Sequence, residues 1–109
     1  MIKFFANLRC ARCRSDDKLT TGSVGIPVEF AFSAEWDGLS KIAVFRAGEI
    51  SVDVALLDDA CTVPPEVLAT PGETLTIGVY GADGEGSLVI PTVYAEAGQI
   101  KRGAEPSGS

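Results

Sequence analysis

The segment from Val28 to Gly48 constrains the fold more than any other part of this chain. Val28, Phe30 and Phe32 alternate with Glu29 and Ala31, the two-residue period of a strand with one buried face. Asp37-Gly38 supplies a turn, and a second apolar run over 42–45 follows before Ala47-Gly48. Between the two strands lies Trp36, the only tryptophan.

The same period recurs along the chain. Ile2, Phe4 and Ala6 share one face of a first strand over 2–8, and 18–21 reads as a short strand before the glycines at 22 and 25. In 49–57, Ile50, Val52, Val54 and Leu56 oppose Ser51, Asp53 and Ala55, with Ala47-Gly48 as a tight hairpin connection. Asp58-Asp59 marks a turn before a short strand at 61–63, and Pro64-Pro65 opens a single helical turn over 64–68. Leu75, Ile77 and Val79 alternate within 73–80, and a glycine-rich loop over 81–86 leads to 88–90. Residues 92–95 extend that strand past Pro91, which belongs at a sheet edge or a bulge.

No window keeps a helical period. The expectation is an all-β domain over 1–97: an antiparallel β-sandwich, immunoglobulin-like or jelly-roll-like, of seven to eight short strands. Phe30, Phe32, Ile42, Val44, Val52, Val54, Leu75, Ile77 and Val79 are its expected core. Residues 98–109 lose the alternation and fill with Gly, Ser, Pro and charge, the composition of a linker leading into a longer protein.

A net charge of −6 argues against a nucleic-acid partner, since that binding needs clustered Lys and Arg. No apolar run reaches the ~18–20 residues of a membrane span, so no membrane is expected either. The first residues lack the long apolar core of a secretory signal, which suits folding in a cytoplasm. With no histidine, the commonest general base and metal ligand is missing. No enzyme, cofactor or metal is expected, and no catalytic residue is assigned.

Cys10-Ala11-Arg12-Cys13 is the most chemical-looking motif, with Arg9, Arg12 and Arg14 placed to favour thiolate. It lacks the helix of a thioredoxin-like site and the fourth ligand of a zinc site, and reads as thiols in a strand-end loop. Cys61 reads as a buried core thiol. Glu35 with Asp37, Asp58 with Asp59, and Asp83 with Glu85 could pair carboxylates for glycoside hydrolysis, but all sit in expected turns. Trp36, Tyr80 and Tyr94 are the aromatic residues a carbohydrate-binding module would need to stack on a host-surface glycan.

The order Phe30-Ala31-Phe32-Ser33-Ala34-Glu35-Trp36-Asp37-Gly38-Leu39, Ala43 to Arg46, Cys61 to Leu68, Gly78 to Gly81 and Val89 to Thr92 resembles a module at the N-terminus of phage and prophage tail proteins from Gram-positive hosts. These are proteins of the baseplate and tail-fibre kind. The resemblance covers roughly 18–108, and the Cys10–Cys13 start lies outside it. It implies a structural β-sandwich that docks distal tail parts onto the virion, often in multimers, and brings no catalytic residue. The expected partners are other tail or baseplate proteins, with a homo-oligomer as one form, in a virion assembled in the bacterial cytoplasm. Phe4 and Phe5, on opposite faces of the first strand, are the candidate interface, with that strand expected at a sheet edge.

Overall fold

A computed structural model describes residues 2–7, 9–15, 19–21 and 25–101. The period-two segments become eight strands: β1 (Ile2–Ala6), β2 (Ala11–Ser15), β3 (Pro27–Phe32), β4 (Ser40–Ala47), β5 (Ile50–Ala55), β6 (Ala60–Thr62), β7 (Thr74–Ala82) and β8 (Leu88–Gln99). They form two four-stranded sheets, ordered β2-β1-β3-β6 and β5-β4-β7-β8, packed face to face as a β-sandwich. Two short 3-10 turns, Ala34–Trp36 and Pro65–Leu68, are the only helical pieces among the described residues, each at a crossing between the sheets.

The core lies between the sheets. Ile2, Phe4, Val28 and Phe30 of the first face Phe45, Leu75, Ile77 and Val79 of the second, and Trp36, Val67 and Leu68 close the ends. Each large side chain taken out of water here contributes about 1.5–3 kcal/mol before entropy is counted. The aromatic rings form a continuous row: Phe4 to Phe30 at 5.2 Å, Phe30 to Phe32 at 6.0 Å, Phe32 to Trp36 at 5.0 Å. Glycine at 81 makes room for Trp36, because a Cβ there would sit 2.9 Å from Leu39 Cδ1 and 3.3 Å from the indole.

Several expectations change. The sandwich is antiparallel apart from one pair, β1 with β3, which run parallel with Phe4 opposite Phe30. β1 therefore lies inside its sheet, flanked by β2 and β3, and is not an edge. The edges are β2, β6, β5 and β8. Residues 11–15, expected as loop, form β2 against β1. Most of the segment expected as a strand at 18–21 is a short crossing instead: Leu19 is buried, and Thr20 bridges Lys101. Residue 18 lies outside the described residues.

β4 turns its other face inward. Ala43, Phe45 and Ala47 reach the core, whereas Ile42 and Val44 lie on the outer surface of the sheet. The two-residue hairpin loop pairs Ala47 with Ile50, which places Phe45 beside Val52 and Ala43 beside Val54. Paired residues share a face, so the inward set of β5 fixes that of β4. Val52 and Val54 themselves are half-buried, because β5 is an edge, and Phe32 is also half-buried. Val44 is nonetheless buried, since the Tyr94 ring lies across its pairing partner Gly78 on the outer surface.

β8 runs unbroken through Pro91. The register slips between Val79 and Gly81, so the proline falls at a bulge on an edge strand. The fold also continues past residue 97. Ile100 is buried, its N–H donates to Glu73, and Lys101 N–H donates to Leu19. Residues 102–109 lie outside the described residues.

Candidate interaction surface

Strand period builds one unusual surface. In β1, Ile2, Phe4 and Ala6 point inward, so Lys3 and Phe5 point outward. In β2 the same alternation sends Arg12 and Arg14 outward and Cys13 inward. Register then sets Lys3 between Arg14 and Glu29, and Phe5 between Arg12 and Ala31. The result is an open cleft of about 530 Å³ over β2, β1 and β3. Its floor is Phe5 and Ala31, and three cations face one carboxylate around it. This positive patch belongs to a protein of net charge −6.

Of the two candidate interface phenylalanines, Phe4 is a core residue at 1% exposure, while Phe5 is 44% exposed on the cleft floor. Among the described residues, the other exposed large apolar side chains are Leu57, Leu88, Val89 and Tyr94. Leu57 opens the turn joining β5 to β6, bridged to Ala60 across its base. There Asp58 and Asp59 both take positive φ, 55° and 57°, and Ala60 N–H donates to Leu57. That is the geometry of a type I′ turn, in which Asn-Gly would be relaxed and two aspartates are strained. The Asp59 carbonyl accepts from Phe30 N–H, and its carboxylate pairs with Lys41 at 3.2 Å. Lys41 in turn stands 4.8 Å over the Phe32 ring.

The thiols do not form a reactive pair. Cys13 is half-buried on the core side of β2, and burial pushes its thiol up to about 11. Strand alternation turns Arg12 and Arg14 to the opposite face, so the expected thiolate is not favoured at Cys13. Cys61 is half-buried rather than fully buried, and burial raises it likewise to about 11. Three strand steps separate β2 from β6, roughly 14 Å at the usual spacing, too far for a disulfide between Cys13 and Cys61. Cys10 is exposed in the β1–β2 connection, where the Asn7 side-chain Oδ1 accepts its N–H and that of Arg9.

The carboxylates serve turns. Asp83 accepts the N–H groups of Glu85 and Ser87 and so holds the β7–β8 loop. Asp58 and Asp59 form the β5–β6 turn, and Glu35 and Asp37 flank Trp36 at a sheet crossing. Among the described residues no group of three or more Cys, Asp or Glu could hold a metal.

The aromatic set expected for glycan stacking is divided. Trp36 is fully buried, so its face is not available to a sugar; it caps the core. Tyr80, half-buried, and Tyr94 remain together on the outer face of the second sheet. The grouping of Lys3, Arg12 and Arg14 around Phe5 was not drawn from the sequence, although the alternation Arg12-Cys13-Arg14 carries the signal. No protein-family model, curated protein or solved structure matches this chain.

Proposed function

We propose that this chain is a non-enzymatic structural or attachment domain of a phage tail or baseplate protein, acting by protein–protein contact in the virion. The ordered residue pattern from Phe30 to Thr92 supports the tail context. The observation that carries contact as the mode of action is Phe5, held outward by a strand paired on both sides and ringed by Lys3, Arg12 and Arg14. A large apolar group on a rigid, charged surface suits an interface, where aromatic and arginine residues supply most of the binding energy. The cleft lies on the outer face of a sheet and stands open to solvent, so a partner can engage it together with the surface around it.

Immunogold labelling of particles released from the source bacterium after prophage induction tests the reading. Label confined to one end of the particle is the expected result. Label absent from particles, with the protein recovered only in the soluble fraction, would overturn it.

A further inference from the structure

We propose that the cationic cleft over β2, β1 and β3 receives the β5–β6 turn, residues 57–60, of a second copy of this chain. The two surfaces match in chemistry. The turn presents Leu57, 79% exposed and the most exposed large apolar residue described, beside the Asp58 carboxylate. The cleft offers the apolar floor of Phe5 and Ala31 for the leucine, and Lys3, Arg12 and Arg14 for the carboxylate. Asp59 is already held by Lys41, so Asp58 is the acid to be met across the interface.

A chain cannot fill its own cleft with its own turn. The hydrogen bond from Phe30 N–H to Asp59 pins the turn beside β3, at the β6 side of the first sheet. The cleft is centred on β1, and its three cations stand on β1 and β2, one and two strands further from the turn than β3. The contact therefore joins two different patches on two molecules, the heterologous kind that builds rings or filaments according to whether its rotation closes. Charge complementarity adds selectivity, because the rest of the acidic surface repels a second acidic molecule wherever this patch is not involved.

The turn's strain is consistent with this role. Replacing its aspartates by Asn-Gly would relax the backbone, but would remove the carboxylates. This contact presupposes a domain that works by protein contact. Particle labelling reads that premise separately, so a monomeric domain that still labels the tail would overturn the self-contact alone.

Sedimentation equilibrium of the purified full chain at low and high salt, with two charge-reversed variants, tests it. One variant reverses the cleft, Arg12→Glu with Arg14→Glu; the other reverses the turn, Asp58→Lys. The wild type is expected to self-associate with increasing concentration, more weakly at high salt. Each variant alone should associate about tenfold or more weakly. An equimolar mixture of the two should recover association, since each then offers the partner the opposite charge. Circular dichroism confirms that both variants stay folded; if the double arginine variant does not, Lys3→Glu takes its place. A wild type that stays monomeric throughout would overturn the proposal. So would variants that each associate like the wild type, or a mixture no stronger than its components.

Discussion

Glycine at position 78 should be needed chiefly because Tyr94 lies across it, with Thr92 Cγ2 the lesser neighbour. In mid-strand a glycine costs about 0.5–1 kcal/mol relative to alanine, so backbone preference alone makes Gly78→Ala stabilising. The Cβ it adds, however, would stand 2.5 Å from Tyr94 Cδ1 and Cε1, well inside van der Waals contact. The ring must leave. Because Tyr94 is 44% exposed it can swing into solvent, but it then uncovers Gly78 and the neighbouring Val44, now only 7% exposed. Returning on the order of 60–80 Å² of apolar surface to water costs about 1.5–2 kcal/mol. Gly78→Ala is therefore expected to destabilise the wild type by about 1 kcal/mol, lowering Tm by about 4–8 °C. In a Tyr94→Ala background the 2.5 Å overlap is gone and only Thr92 Cγ2, 3.0 Å from the added Cβ, has to give, so the same substitution should range from neutral to stabilising by about 0.5–1 kcal/mol. Urea unfolding of the four proteins gives the double-mutant cycle, with a coupling of about 1–2 kcal/mol. Equal effects of Gly78→Ala in both backgrounds would refute the argument.

The thiols should differ in reactivity. A colorimetric thiol reagent at neutral pH is expected to titrate Cys10 rapidly, and Cys13 and Cys61 only slowly until the protein unfolds. Since burial raises Cys13 and Cys61 from 9.0 to about 11, the native state holds their protons more tightly than the unfolded chain. Stability is therefore fully present below pH 9 and falls as pH rises towards 11, a loss that Cys13→Ala with Cys61→Ala should reduce. Chemical denaturation at pH 8 and pH 10.5 checks the slope. Replacing Cys10 and Cys13 with serine should still leave a folded domain, with Tm moved by only a few degrees, read by thermal circular dichroism. Trp36→Ala should cost about 3–5 kcal/mol in urea unfolding, because the indole is fully buried against Gly81, Leu39 and Phe32. A loss below about 1 kcal/mol would mean that the ring does not close the core.

Much of this architecture was legible because strands with one buried face write a period of two. β1, β3, β5 and β7 follow it, and Pro91 marks its own bulge. β4 misleads because 42–45 is apolar on both faces, and only the hairpin register to β5 resolves which face goes inward. β2 hides because Arg12-Cys13-Arg14 suggests thiol chemistry before it suggests a strand. The parallel pairing of β1 with β3 has no local signature, since it depends on where a distant segment returns. For the same reason the cleft was half visible: Phe5 could be placed opposite Phe4, but its cationic ring comes from neighbours in space. Trp36 has a loop-like setting in sequence, and its burial comes from two sheets meeting over it.

The most direct test of the proposed contact-acting tail domain is the amount of this chain in density-banded phage particles from the proposed bacterial host, compared with a Phe5→Glu variant. Phe5 is outside the core, so the variant should keep its β circular dichroism and melt within a few degrees of the wild type. The wild type is expected to band with the particles at a fixed ratio to other tail proteins, and the variant to stay at the top of the gradient. A wild type absent from the band, or a variant incorporated to the same level, would contradict the account.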